Sequence, residues 1–510
     1  MKLNYKRTIF VGFAFFLISA FWQGYDTIIP KILTDKFGMS QSLSGAIMGL
    51  DNILALFMLP LFGVLSDKCK SPRGRRTPFI IAGTVIAAVF LVMLSFADSM
   101  QLKNISAVAP TNPTAQVTLY DAGLSITTPD GKTVAISDMF TKDEYTAITM
   151  TTESGGTNPD YTNYIVPARH AYAAAVVAND KTPLIIFIAI LFVLLLSMST
   201  FRSPAVALMP DVTIKPLRSK ANAVINLMGA AGGIIILGLG MAFKTGSAAN
   251  ALMSYKLFFI CIAGLMIVSL LIFLWRVKEP KLVKAMHEES RKYNIDQEED
   301  DDSGSRKLSK GEKISLVLIL SSVVFWFFGY NAVTSKYSVY ASSVLNLDYN
   351  NTLMIATGAA ILSYIPVGAL ASKIGRKKSI MAGIILLGTA FLSASFIRAG
   401  SSTLVMNILF AMAGIGWATI NVNSYPMVVE LSKGSEVGKY TGVYYTASMA
   451  AQTLTPFISG MFMDKVSMTT LFPYGCVFVF LAFITMLFVK HGDNKPIPAG
   501  SKLEAFGSDD

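Results

Sequence analysis

Apolar runs of roughly 20 residues recur about twelve times along the chain, at 8–29, 42–66, 78–97, 183–208, 220–243, 254–276, 314–335, 350–371, 379–397, 402–425, 438–463 and 469–490. That length crosses a hydrocarbon core of about 30 Å as a helix. In hydrocarbon every backbone N–H and C=O must be satisfied within the structure, so these runs predict packed helices. Composition agrees. Of 510 residues, 53% are hydrophobic and only 15% charged, with a mean hydropathy of +0.53, against about 25% charged in soluble domains. An even number of spans puts both termini on one side.

One short basic string occurs twice, as GVLSDKCKSPRGRRTPF from Gly63 and as GALASKIGRKKSI from Gly368. Each follows one apolar run and precedes another, so each reads as a tight hairpin between spans. A duplicated hairpin implies a duplicated bundle, and two bundles facing each other across a midplane cavity is how secondary transporters are built. The expected fold is an all-α membrane protein of twelve transmembrane helices in two six-helix bundles, residues 1–277 and 314–490.

Basic residues in short loops resist translocation. Lys2, Lys6 and Arg7, the hairpin Lys68 to Arg76, the hairpin Lys215 to Lys220 and the hairpin Lys373 to Lys378 therefore predict a cytoplasmic face, with both termini on it. About 30 of the 43 basic residues fall there by count. The net charge of +11 is thus an orientation signal. Spread over separate hairpins, these residues do not form the single basic face that nucleic-acid binding needs. Cys69, Cys261 and Cys476 have no metal or redox spacing. The first apolar run has a charged start but is too long for a signal peptide and lacks a small-residue cleavage pattern, so it is taken as the first span. The cell membrane is the expected location, with lipid as a partner and the chain acting as a monomer.

Three segments depart from the membrane pattern. Residues 98–182 form an outward-facing insertion; between Asp98 and Lys181 it carries nine acidic and five basic residues. Within it LSITTPDGKTVAIS, Leu124 to Ser137, alternates apolar and polar residues around Pro129-Asp130-Gly131, which predicts a hairpin and a small, partly β fold. A variable decoration is favoured over a binding lid. Residues 278–313, with the run EEDDDSGSRK, read as a solvated linker, and residues 491–510 as a disordered tail.

In the first hairpin Asp67 closes a helix, while Arg75 and Arg76 offer guanidinium forks to carboxylates. Asp211 stands at the end of span 4, and Glu430 stands at the equivalent place after span 10, available to Arg376. Such pairs predict a cytoplasmic gate that locks the outward-open state and breaks when the inner side opens; positive-inside anchors and helix caps are the alternative. Ser372 stands where the first string has Asp67.

GALASKIGRKKSI resembles the loop signature of the major facilitator superfamily, with Ser372 in place of the usual Asp. The first string, in which Gly74-Arg75-Arg76 follows Asp67 by seven residues and Pro78-Phe79 comes soon after, resembles the sucrose-type branch and the related glycoside-pentoside-hexuronide:cation symporters. ALMPD followed by LRSKANAVINLMG resembles the span 4 to span 5 hairpin of that branch. Pro72 and Arg73 depart from its pattern. The resemblance implies a symporter that moves a sugar or glycoside with a proton or sodium ion, not an enzyme, and without cofactor or metal.

Ionisable residues inside a bilayer are costly and point to function. Asp51 lies roughly 8 residues, about 12 Å, below the outer end of span 2, with Asn52 beside it. Related cation symporters carry a carboxylate there; a second acid one turn on in sodium-coupled members is matched here by Ala55, which favours protons. Asp26 shares a helix face with Gln23, but Pro30 is expected to end that helix, leaving an outer-loop cap as the rival reading. Arg202 is the one basic residue placed inside a span; it pairs with Asp51 or Asp26, grips substrate, or snorkels.

Sugar sites combine aromatic platforms with amide partners. Trp326, Tyr330 and Asn331 in span 7, Tyr364 in span 8, and Trp417 and Asn421 in span 10 have that chemistry, as do Gln23, Asn52 and Asn226. The expected function is cation-coupled, most simply proton-coupled, sugar uptake by alternating access. An exporter of small molecules or drugs, an uncoupled sugar facilitator and a membrane-bound enzyme or sensor are the rivals.

Overall fold

A computed structural model describes residues 3–128, 131–152, 158–214, 217–292, 308–429, 431 and 437–492. Twelve long helices carry it: α1 Tyr5–Lys31, α2 Gln41–Met48 continued by Leu50–Asp67, α3 Thr77–Ile105, α4 Thr182–Asp211, α5 Arg218–Ala242, α6 Lys256–Arg276, α7 Lys310–Tyr340, α8 Tyr349–Ile374, α9 Arg376–Ala394, α10 Thr403–Val429, α11 Val437–Lys465 and α12 Leu471–Leu487. Ten of the spans are long and apolar enough to cross a membrane by length and composition among the described residues, the exceptions being α8 and α11. Local signals set several starts. Asn4 accepts from Arg7 N, Ser309 and Glu312 form a capping box, and Pro78 and Pro183 occupy first-turn positions whose N–H would be unpaired in any case.

The duplication expected from the hairpins is visible in packing. In the first half α1 packs on α5 and α6, α3 on α4 and α6, and α2 on α4; in the second α7 packs on α11 and α12, α9 on α10 and α12, and α8 on α10. Each half encloses its own apolar core, one running from Val11 to Val277 and the other from Ile319 to Val489. Across the seam α1 meets α7, α2 meets α11, and α5 meets α8.

Two of the helices run past the expected ends of their spans. Pro30 does not end the first helix. Regular α-helix runs through Pro30, which has no N–H to donate to the Asp26 carbonyl, on to Lys31 and then widens into a π turn, Ile32–Lys36. Asp26 is therefore a mid-helix residue and not a cap. α7 ends in the same way, with a π turn at Ala341–Leu345.

The insertion between α3 and α4 is a small third body with its own core around Ile105, Leu119, Ile126, Tyr145 and Ile165. Strands β1 Ser125–Thr127 and β2 Thr133–Ala135 pair antiparallel where the hairpin was expected, and short helices surround them among the described residues. Thr141 and Glu144 cap one of these, and the N–H and hydroxyl of Thr141 hold the Glu144 carboxyl below its ordinary range. Pro129 and Asp130 of the expected turn lie outside the described residues, as do residues 493–510 of the expected tail and 293–307 of the linker. The linker begins as a helix, Glu279–Lys292, whose Leu282 and Val283 pack on the first core.

The seam is closed on the side that carries the insertion. Gly45 of α2 packs so tightly on α11 that a Cβ there would lie 1.9 Å from the Pro456 carbonyl oxygen, and a Cβ on Gly460 would lie 2.2 Å from that of Gln41. Asp464 at the end of α11 accepts from the backbone N–H groups of Gln41 and Ser42, both at 2.7 Å, closing the α2 N-terminus from across the seam. The Thr245 hydroxyl meets Tyr349 at 2.8 Å and accepts from Asn350 at 2.9 Å. A Gly45→Leu chain will be unable to close this side, because its side chain meets backbone rather than a movable side chain. Spin labels at Leu43 and Val466, both exposed at the seam, should move apart by several ångströms relative to the parent chain.

Candidate functional site

Three charges gather inside the first half. Asp26 on α1, Asp51 on α2 and Arg202 on α4 lie within electrostatic reach of one another. The Arg202 guanidinium sits 5.4 Å from the Trp22 ring, and no ion pair within 4.0 Å ties it to either acid. Asn52 donates to Asp51 at 2.9 Å. Asp51 stands ten residues after Gln41, or about 15 Å along the helix, just past the break at Gly49. Asp26 is exposed although its neighbours Tyr25 and Thr27 are buried at 4% and 3%. A carboxylate so placed along a membrane helix requires a watered interior, since facing lipid would be prohibitive.

The aromatic surroundings of this cluster were not read from the sequence. Phe21, Trp22 and Tyr25 pack edge to face or stacked within about one turn of α1, and Tyr25 lies close to both acids with its hydroxyl buried and unpartnered. Arg202 draws on this wall for cation–π attraction. FWQGYD looked like an ordinary apolar helix with two polar residues, and only the arrival of Arg202 from α4 gives its rings a charge to face. Gln23 points at α5, its side chain 3.5 Å from where a Cβ on Gly233 would sit. Asn226 on α5 is exposed.

In the second half, Tyr330 and Trp417 stack face to face, centroids 3.7 Å apart and planes within 2°. Phe327 meets the same Trp417 edge-on at 5.2 Å. The Tyr364 hydroxyl interacts with the Asn421 side chain, and Tyr364 lies near Tyr330. Asn421 is exposed, whereas Asn331 has a buried, unpartnered amide nitrogen. Trp326 is different. At 1% exposure it belongs to the second core and has no face left for a ligand, because it turns towards the packed side of α7 while Tyr330 turns towards α10.

At the opposite end of the bundle from the insertion, the first hairpin folds into a charge cluster within one half. Arg75 and Arg76 both reach Asp211, at 2.6 and 2.9 Å, and Arg76 also pairs with Asp67 and donates to the Ser66 hydroxyl. Glu279, at the start of the linker helix and missed in the sequence, organises them. Its carboxylate accepts from the backbone N–H of Arg75, Arg76 and Thr77 and from the Thr77 hydroxyl, so it caps α3 from outside the helix. Gly74 makes room for it at φ +109°, and a Cβ there would lie 2.3 Å from the carboxyl group. These pairs are intact while the insertion side is closed and all lie in one half. Because their partners move together, these pairs do not join the two halves. Arg376 is buried, while its expected partner Glu430 lies outside the described residues.

Two bundles of like packing, a shared seam closed at one end, and charged and aromatic groups held along it are the marks of a secondary transporter. The model of the Major Facilitator Superfamily matches residues 7–112, 171–423 and 351–507, and the chain belongs to that family of transporters. Over 182 residues it is 28% identical to an uncharacterized MFS-type transporter of Methanocaldococcus jannaschii, covering 34% of this chain and 43% of that one. Over 69 residues it is 35% identical to a sucrose transport protein of Arabidopsis thaliana, 14% of this chain and 11% of the relative. The chain thus spans less than half the length of these curated relatives. Among solved structures, the inward-open xylose transporter from E. coli superimposes with a TM-score of 0.58 at 14% identity over 99% of both chains, and a D-xylose-proton symporter with 0.55 at 16% over 96% and 99%. These identities carry the fold alone.

Replacing Glu279 by Ala leaves three N–H groups of the α3 start without acceptors, at about 1–3 kcal/mol. The chain should unfold several degrees lower in a thermal scan, whereas Lys281→Ala, an exposed change on the same helix, should leave the midpoint in place.

Proposed function

We propose that the chain takes up a sugar or glycoside together with a cation, most simply a proton, by alternating access. The observation that carries this is the charge balance of the inner cluster. Asp26 and Asp51 face one arginine, so with both acids ionised the cluster holds one uncompensated negative charge within the membrane span. A bound proton or cation neutralises it. Ala55, buried at 3% one turn beyond Asp51, offers no further carboxylate oxygen, and that favours a proton over sodium. Substrate and proton then promote each other's binding, which is the reciprocity that coupling requires.

The cargo is read from the other half. Tyr330, Trp417, Tyr364 and Asn421 combine ring faces with hydroxyl and amide groups, the chemistry that binds a pyranose ring and its hydroxyls. The sucrose and xylose transporters among the similar proteins support the reading. The basic hairpins put the termini, the Glu279 cluster and the linker in the cytoplasm and the insertion outside, in a cell membrane. The conformation seen, closed on the insertion side, is then an inward-facing one.

In proteoliposomes, Asp51→Asn should abolish accumulation of labelled disaccharide driven by a pH gradient while leaving sugar-for-sugar exchange largely intact. Loss of both in a folded chain would reduce Asp51 to a structural residue, and unchanged accumulation would remove it from coupling. Trp417→Ala should raise KM about tenfold, the consequence of losing about 1.4 kcal/mol of stacking, with the pH dependence preserved.

A further inference from the structure

Two lysines cross the closed seam in opposite directions. Lys31, the last α-helical residue of α1, reaches from the first half to the Ser342 hydroxyl in the π turn of α7, at 2.6 Å. Lys336, on α7, reaches from the second half to the backbone carbonyl of Gln41 at the start of α2, also at 2.6 Å. They are 1% and 0% exposed. α1 and α7 occupy equivalent places in the two halves and both end in a five-residue π turn; the two lysines stand one and five residues before it, one helical turn apart on the same face.

Each ammonium also has an acid in its own half. Asp35 lies 3.4 Å from Lys31 on the same helix, and Asp464 of α11 lies within electrostatic reach of Lys336. A buried ammonium needs such compensation whatever the seam does. The bond across the seam is a different matter, since Ser342 and the Gln41 carbonyl belong to the other half and leave with it when this side opens. Asp35 is held in turn by His170 of the insertion at 3.0 Å, and Gly38 packs against the same insertion helix.

We infer that Lys31 and Lys336 are a matched pair of positioning residues that latch the insertion side of the transporter shut, each facing an acid of its own half and bonded across the seam only in the closed state. The inference rests on the fold and the seam contacts, not on the identity of the cargo.

The test uses the full chain in nanodiscs, with Cys69, Cys261 and Cys476 replaced by Ser and a single reporter, Thr245→Cys, at a position buried at 0% where the Thr245 hydroxyl meets Tyr349 of the other half. Maleimide labelling of the reporter should be slow in this background and about fivefold faster in Lys31→Met, in Lys336→Met and in Ser342→Ala, the population shift expected from losing one hydrogen bond. Lys256→Met, at an exposed lysine of α6, should leave the rate as it was. Ser342→Ala strands no charge that Asp35 does not already face, so it decides the matter if a methionine variant does not fold. Unchanged labelling in the folded Ser342→Ala chain, or in both folded lysine variants, would overturn the latch.

Discussion

The constraint behind this architecture is the cost of a charge away from water. Hydrocarbon and a packed core both exclude ions unless they are paired, bonded or wetted. The chain meets that cost at three levels along one axis: at the insertion side with Lys31, Lys36, Lys336 and their acids, in the interior with Asp26, Asp51 and Arg202, and at the terminal side with the arginines around Asp211. Lys36 shows how strict the condition is. Fully buried, it bonds Asp98 at 2.6 Å and the Met253 carbonyl at 2.7 Å, with the Tyr255 ring 4.5 Å away.

The three levels differ in what each pair joins. The terminal-side arginines bond acids within one half, so the cluster braces the half as a rigid body and is indifferent to the state of the seam. On the insertion side Lys31 and Lys336 bond groups of the other half, and the glycine contacts between α2 and α11 let the backbones close on each other. The interior level is the one that holds two acids against one arginine inside the membrane span. A rocking motion needs this difference: rigid lobes, contacts that can be remade at the seam, and a site whose charge changes with its ligand.

Much of this was legible from pattern. Run lengths and the repeated hairpin gave the two bundles, because span length and backbone satisfaction leave a membrane chain few options. The pairing of Arg75 and Arg76 with Asp211 followed from charge at adjacent helix ends. Glu279 was hidden, since its role depends on a helix some 200 residues distant in sequence folding back onto the α3 start. Pro30 misled in the opposite way: the helix runs through it, and Asp26 moved from the rim to the interior. Trp326 shares a helical row with Tyr330, yet that row divides between core and seam, and sequence spacing does not resolve a difference of this size.

The central claim is that the unequal interior charge is balanced by a proton that travels with a sugar. Its most direct measurement is the pH response of a lightly buffered suspension of proteoliposomes when a sugar is added without any imposed ion gradient. The account predicts a transient alkalinisation of the medium on addition of a transported glycoside, abolished by a protonophore and insensitive to sodium. Sugar entry with no pH change, or entry that responds to sodium and not to protons, would contradict it.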